Sequence, residues 1–462
     1  MFNKEVYSAR RQQLKRLVGT GIILLPGNGE SSMNYKDNWY HFRQDSTFLY
    51  YTGIDRADLF LVIDIDNNTE ILFGDELTID DIVWTGPKIS IHEQAAQTGI
   101  DKVLPLASLA ATVKDRNAVH FLSPYRKDTA LQISEITGLP VALLKEKASV
   151  TLIRAVMSQR SIKTAEEVAE INKAVDITAD MHLAAMRNAR AGVTESYVAG
   201  FVHAQAISAG GNLSFPTILT VNGQVLHNHY GLTVLEEGQM VLCDAGGETS
   251  NHYAGDMTRT FPVGKQFSAL QKEVYNIVLD AQQAAIKALK PGVLFKDVHL
   301  LACERLTIGL QQLGLMKGDV KEAVAAGAHT LFFQCGLGHM MGLDVHDMEN
   351  LGEEYIGYTD ELKKSKEFGL KSLRLGRALE PGFVVTVEPG LYFIPELMDR
   401  WAAEKKHEQF INYGKVFAYK NFGGIRIEDD YLITANGSSL LGSDKLPRIA
   451  EEVEAVRAHS LG

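Results

Sequence analysis

One segment occurs twice in this chain, and it constrains the fold more than any composition figure. Leu235-Glu-Glu-Gly-Gln-Met-Val-Leu-Cys-Asp244-Ala-Gly246 aligns without a gap on Leu379-Glu-Pro-Gly-Phe-Val-Val-Thr-Val-Glu388-Pro-Gly390. Leucine, glutamate, glycine, valine and the closing glycine are identical, and an acidic residue holds the same place in both copies. Each copy reads as a turn entering an apolar strand that ends on a carboxylate. The region therefore divides into two related halves, each delivering an acid from a strand end.

Around the first copy, Asp244 and Asp256 flank a turn-forming run containing Gly246, Gly247, Thr249, Ser250 and Asn251, with Val241, Leu242 and Phe261 outside them. This pattern predicts a β-hairpin. A turn centred on Ser250 sets the two aspartates opposite one another, on one face, about 5 Å apart. Carboxylates that close repel unless a cation lies between them; taken alone, the pair reads first as solvated turn residues.

The rest of the chain supplies partners for a cation site. Gly336-Leu-Gly-His339-Met-Met-Gly-Leu-Asp-Val-His346 sets two histidines among glycines, which let backbone approach a site closely. Gly423-Gly-Ile-Arg426-Ile-Glu428 alternates as a strand does, so Arg426 and Glu428 share a face. Asp244, Asp256, His339, Glu388 and Glu428 form an oxygen-rich set suited to two divalent ions about 3.5–4 Å apart. Such donors favour Mn2+, and Co2+, Fe2+ and Zn2+ fit the same set.

The 462 residues exceed one ordinary core, so two domains are expected, with the boundary at 158/159. Strand-like runs at Gly21–Leu25, Leu59–Ile65, Thr69–Phe73, Val103–Leu106 and Val119–Leu122 alternate with helical patterns, which predicts an N-terminal α/β unit over 1–158. Phe42-Arg43-Gln44-Asp45-Ser46 and Trp84-Thr85-Gly86 stand out there, each reading first as structural. The second unit, 159–462, opens on a capping box, Thr164 with Glu167, and carries helices, then strands, then a helical block over Leu270–Leu313 broken at Pro291-Gly292. The overall class is α+β.

A net charge of −11 argues against nucleic acid or an anionic membrane as partner. Cys243, Cys303 and Cys335 have no metal-finger or redox spacing and suit a reducing compartment. The charged first residues offer no signal region, and no apolar run reaches membrane length, so the cytoplasm is the expected location. Lys363, Lys364 and Lys366 read as a solvated loop.

Together these motifs resemble the proline-specific metallopeptidases with the pita-bread fold, the Xaa-Pro dipeptidases and Xaa-Pro aminopeptidases, over nearly the whole chain. The resemblance implies an N-terminal creatinase/aminopeptidase P-like domain followed by a catalytic domain with pseudo-twofold halves. By the same resemblance Asp244 is held by one metal, His339 and Glu388 by the other, and Asp256 and Glu428 bridge them. His227 and His346 are implied as histidines near the scissile bond, with His229 a rival to His227; Arg426 as an orienting arginine beside the bridging glutamate; Glu388 as the proton shuttle. Hydrolysis by a metal-bridging hydroxide follows as the expected mechanism.

Ser372-Leu-Arg374-Leu-Gly-Arg377 resembles the dipeptidase segment whose arginine, here Arg374, clamps a free carboxylate, so Xaa-Pro dipeptides are the expected substrates and longer Xaa-Pro peptides the alternative. The chain departs from the family twice. Cys335 stands where the family has histidine, at a position lining the proline side, and the Asp244–Asp256 hairpin is one residue longer, which a wider turn or a bulge would absorb. The resemblance also implies a homodimer through the N-terminal domain, with Trp84 and Asp45 near the neighbour's site. A metal-free pita-bread binding protein is the reading from a different class.

Overall fold

The computed structural model describes residues 2–114 and 118–462, and the chain divides into two compact units: 1–160 with 348–355, and 161–347 with 356–462. In the first, five strands form one sheet in the spatial order Lys102–Leu104, Thr69–Phe73, Phe60–Asp64, Ile22–Pro26, Val119–His120. The three central strands pair antiparallel and the two edge strands parallel. Alternate residues Ile22, Leu24, Phe60, Val62, Ile71 and Phe73 point to one face, where Ile133, Ile136 and Leu144 from the helical segments close a buried core. In the Phe42–Ser46 cluster, Gln44 and Asp45 hold local backbone. Asp45 caps the helix Ser46–Thr52 by accepting from the Phe48 N–H at 2.8 Å, and Gln44 Oε1 accepts from the backbone N–H groups of Asn28 and Asp45.

In the second unit the repeat read from the sequence becomes a repeated hydrogen-bond pattern. Gly192 N donates to Leu235 O and Leu235 N to Val193 O; Gly292 N donates to Leu379 O and Leu379 N to Val293 O. Two helices lie against each copy's region in the same chain order, Ala165–Asn188 with Glu195–Ser208 and Ala269–Ala288 with Phe295–Gln312. The strands that follow, Met240–Ala245 and Val384–Val387, carry Asp244 at the last residue but one and end just before Glu388. They pair antiparallel with Met257–Pro262 and Asp429–Ile433 respectively.

Met240–Ala245 and Met257–Pro262 are buried at every position, so both faces are covered. Gly255 makes the helical cover possible: a Cβ there would meet the Ala174 carbonyl oxygen at 2.8 Å, within the helix Ala165–Asn188. That helix begins with the expected capping box, Thr164 and Glu167.

The hairpin register corrects one expectation. Thr258, not Asp256, lies opposite Asp244, and the pairing runs unbroken to the Glu248–Ala254 bridge, so the turn centres on Asn251 rather than Ser250. Asp244 and Asp256 are therefore diagonal neighbours. They keep a common face because the offset is two residues, the period of the strand. The extra residue is absorbed at the tip, where His252 N donates back to Thr249 O and His252 takes a left-handed φ of 65°. No bulge is needed.

Candidate metal centre

Local alternation explains how each ligand reaches the centre. Asp256 precedes the strand Met257–Pro262 and Thr258 follows on the same face; Thr386, Glu388, Gly390 and Tyr392 share a parity, as do Arg426 and Glu428. His339 comes from the loop after Gly338, which lies so close to the neighbouring strand that a Cβ would sit 2.1 Å from the Thr386 carbonyl oxygen. The loop is tied there by His339 N to Thr386 Oγ1 (3.1 Å), Thr386 N to His339 O (3.0 Å) and Glu388 N to Leu337 O (2.8 Å).

The result is a cavity of about 280 Å³ lined by all five predicted ligands together with His227, His229, Cys335, His346 and Arg426. Asp256 Oδ2 lies 3.3 Å and Glu388 Oε1 3.6 Å from His339 Nε2. The other ring nitrogen, Nδ1, sits 3.0 Å from the Met340 carbonyl and donates to it, so Nε2, the nitrogen that faces the carboxylates, is the one available to a cation once its own hydrogen is lost. Ligand atoms of Asp256, His339 and Glu428 lie within 4.8 Å of one another. Arg426, 3% exposed, donates to Asp244 Oδ2 at 2.5 Å, to Thr258 Oγ1 at 3.1 Å and to Tyr392 OH at 3.0 Å. Thr258 passes its own hydrogen to Glu428 Oε2 at 2.6 Å.

The electrostatics are those of a site that needs cations. Burial, reinforced by the Asp244 charge, pushes Asp256 up to about 6. Burial and then the charges of Asp256, Glu388 and Asp244 hold Glu428 well above the usual carboxylate range, and burial also raises Asp244 and Glu388. At His339 burial favours the neutral ring, but the Asp256 hydrogen bond and the Glu388 charge outweigh it and the pKa rises. One arginine does not neutralise four carboxylates. Asp244 Oδ1 and Asp256 Oδ1 are buried without hydrogen-bond partners, which costs about 1–3 kcal/mol each unless a ligand is supplied. Oxygen donors with one imidazole nitrogen, two of the oxygens otherwise unpaired, fit divalent metal ions.

The remaining predicted residues fall around this core. The His346 ring packs edge-on against His339 with centroids 4.3 Å apart, and its Nδ1 lies 3.3 Å from Arg374 Nε. Since arginine only donates, His346 Nδ1 is the acceptor and Nε2 carries the hydrogen. Arg374 thus stands behind His346. His227 and His229 both line the cavity with part of each side chain open to solvent; His229 Nδ1 is tied to the Thr217 carbonyl at 3.1 Å, while partial burial and the nearby Arg426 lower the pKa of His227. Cys335 Sγ lies 3.8 Å from Tyr392 OH, and burial with the Glu388 charge pushes its thiol up to about 12, so it is neutral.

Sequence reasoning missed Thr258, Thr386 and Tyr392, which orient the ligands, and the apolar wall of Phe215, Pro216, Ile218, Leu226 and Val345. For the first three a signal existed, because each lies two or four residues from a ligand on its strand face. The wall had none, since an apolar residue reads the same in a core as in a pocket.

A two-domain chain whose pseudo-symmetric second half gathers carboxylates and histidine around a buried cavity is a metallopeptidase in class. Comparison with known proteins agrees. The model of metallopeptidase family M24 matches residues 169–435, and that of the aminopeptidase P N-terminal domain matches residues 7–120. The chain belongs to metallopeptidase family M24, in its Xaa-Pro aminopeptidase and dipeptidase group, and has the two-part aminopeptidase P fold with a pita-bread domain. It is 31% identical over 430 residues to a probable Xaa-Pro aminopeptidase of Podospora anserina, covering 91% of this chain and 90% of the relative. To the Xaa-Pro dipeptidase of Homo sapiens it is 31% identical over 467 residues, 99% of this chain and 92% of the relative. Among solved structures, a variant of Escherichia coli aminopeptidase P in complex with substrate superposes with a TM-score of 0.82 at 28% identity, covering 100% and 99% of the two chains. The same enzyme with the inhibitor Pro-Leu gives 0.81 at 29%, with the same coverage. Among the described residues, no helix is long and apolar enough to cross a membrane.

Proposed function

We propose that this chain hydrolyses the peptide bond preceding proline, acting chiefly on Xaa-Pro dipeptides, with two divalent cations held by Asp244, Asp256, His339, Glu388 and Glu428. The observation that carries the reading is the convergence of these five side chains, two of them with unpaired buried oxygens, on one cavity. The hardness of the donors makes Mn2+ the assigned metal. When bound, the cations would lower the pKa of a shared water and polarise the scissile carbonyl.

The chain's own residues do the rest. His346 offers Nε2–H to the oxygen on which negative charge develops, its tautomer set by Arg374. His227, at the mouth, faces the same region. A bond to proline is a tertiary amide, so the departing nitrogen must receive a proton. Glu388, whose pKa burial raises, is assigned as the carrier. Arg426 orients Asp244 and, through Thr258, Glu428. Cys335, a neutral thiol beside Tyr392, lines the proline side.

The dipeptide preference rests on Arg374, whose guanidinium suits a free C-terminal carboxylate. Arg374→Ala is expected to raise KM for Ala-Pro about 30- to 150-fold, the loss of about 2–3 kcal/mol from a charged hydrogen bond, and KM for an Ala-Pro-Xaa tripeptide less than about threefold. Any change passed through His346 appears in kcat for both. Equal KM effects would remove the clamp and favour the second reading, an Xaa-Pro aminopeptidase of longer peptides, which the names of the fungal relatives and of the Escherichia coli neighbours support. Manganese analysis of protein reloaded with Mn2+ tests the dinuclear centre; fewer than two Mn2+ per chain with full activity would refute it.

The reading extends to a cytoplasmic homodimer. Three free cysteines suit a reducing compartment. On the helix Ile79–Thr85, Ile79, Val83 and Trp84 are 75%, 73% and 85% exposed, an apolar face that a second copy would cover. Trp84→Glu is expected to shift sedimentation toward the monomer; an unchanged dimer would place the interface elsewhere.

A further inference from the structure

Beyond the residues that line the catalytic cavity, the second unit buries another set of metal-ligating side chains, near enough to Cys335 of that cavity for the two thiols to interact electrostatically. His299 and Cys303 lie one turn apart on the helix Phe295–Gln312, hence on one face, and His329 comes from the 3-10 turn Ala328–Leu331. Their ligand atoms lie within 4.8 Å of one another, with His299 Nε2 3.5 Å from Cys303 Sγ. None is accessible: relative exposures are 1%, 0% and 3%.

Two features set this cluster apart from an ordinary buried hydrogen-bonded group. Both Nδ1 of His299 and Nδ1 of His329 are buried without a hydrogen-bond partner. With no partner at Nδ1 to fix the tautomer, each ring is free to carry its hydrogen there and to leave Nε2, the nitrogen of His299 that faces Cys303, with a lone pair for an ion. The surroundings also keep the rings in ligand form. Burial pushes His299 down to about 3 and His329 to about 4, so both are neutral near pH 7. Phe333 packs tilted at 5.6 Å from the His299 ring, and Leu306, Leu331 and Phe332 are buried nearby in sequence, while Glu304 on the same helix is the charge felt by Cys303 and His407 the one felt by His329.

We propose that His299, Cys303 and His329 form a second, structural metal site for a thiophilic cation, zinc in the first instance, which clips the helix Phe295–Gln312 to the turn Ala328–Leu331. Two imidazoles and one sulfur are the soft counterpart of the oxygen-rich catalytic set, so the two sites sort metals by donor type. On binding, the Cys303 thiol gives its proton to solvent and the thiolate becomes the ligand. Three protein donors leave the fourth tetrahedral position to a solvent oxygen. The clip lies shortly before the Cys335–His339 loop in the chain, so it orders the entry to a segment that carries a catalytic ligand.

Cobalt(II) reports thiolate ligation directly, because a Co–S bond gives an intense near-ultraviolet charge-transfer band that oxygen and nitrogen ligands do not. Full-length protein stripped with chelator and reloaded with Co2+ is expected to show this band in the wild type and in Cys335→Ser, and to lose it in Cys303→Ser. Cys303→Ser is also expected to retain one zinc fewer per chain. X-ray absorption at the zinc edge of the wild type removes any dependence on the variants folding. One sulfur scatterer at about 2.3 Å is expected. Oxygen and nitrogen scatterers alone, or a cobalt band that survives Cys303→Ser and vanishes in Cys335→Ser, would overturn the site.

Discussion

Glu428→Gln is expected to lower kcat/KM for Ala-Pro by at least about a thousandfold, some 4 kcal/mol of transition-state stabilisation, while leaving the metal-free protein no less stable. Glutamine keeps the volume and can still accept from Thr258, whose hydroxyl lies 2.6 Å from Glu428 Oε2. What it removes is one of the two carboxylates assigned to bridge the cations. Stability moves the other way. Burial and the charges of Asp256, Glu388 and Asp244 raise the Glu428 pKa well above 4.5 in the folded chain. At pH 7 the unfolded chain therefore ionises this group more easily than the folded one does, which favours unfolding. Replacing it should raise the thermal midpoint of chelator-stripped protein at pH 7. The gain should fade as pH falls below about 4.5, where both states keep the proton. Activity within tenfold of wild type, or a stripped variant that melts earlier at pH 7, would contradict the bridging assignment.

Arg259→Ala is expected to cost about 3–5 kcal/mol of stability, the usual consequence of breaking one side of a buried ion pair. Arg259 and Asp429 both have side chains 0% exposed and meet at 2.6 Å. The guanidinium also donates to the carbonyls of Thr258, Glu428 and Pro447. It therefore joins the strand of Asp256 and Thr258 to the segment of Glu428. Removing it leaves three carbonyl groups short of a donor and Asp429 with only Arg448 and Gln282. Urea midpoints followed by tryptophan fluorescence and by circular dichroism would measure the loss, and a shift worth less than about 1 kcal/mol would show that the network relaxes without Arg259. Asp429→Ala should be at least as harmful, since it strands a cation that cannot deprotonate.

These two residues mark how legible the site was. Asp244, Asp256, His339, Glu388 and Glu428 could be gathered from the sequence because each stands beside a local signal: a turn, a glycine-flanked loop, or a strand whose alternation assigns a face. The duplicated strand and turn added a relation between Asp244 and Glu388 that no single motif carries. Arg259 stands in the strand Met257–Pro262, three residues after Asp256 and so on the opposite face, and nothing local separates it from a solvent-facing arginine. Its role depends on Asp429, which is 170 residues away in the chain. The same holds for His299, Cys303 and His329. The i, i+4 spacing of the first two reads as an ordinary helix face until the 3-10 turn brings the third against them.

By itself the sequence determined the family and the two-part fold, through motifs that resemble known peptidases, while strand parity and turn chemistry, being local, marked the doubled strand with its acidic end and the five candidate ligands. Tertiary structure alone decided the register that makes Asp244 and Asp256 diagonal, the Thr258 hydroxyl linking Arg426 to Glu428, and the buried Arg259–Asp429 pair. Each of these is a contact between distant segments, and an unbroken hairpin leaves its register to wherever the turn closes, here one residue beyond the centre that the spacing suggested.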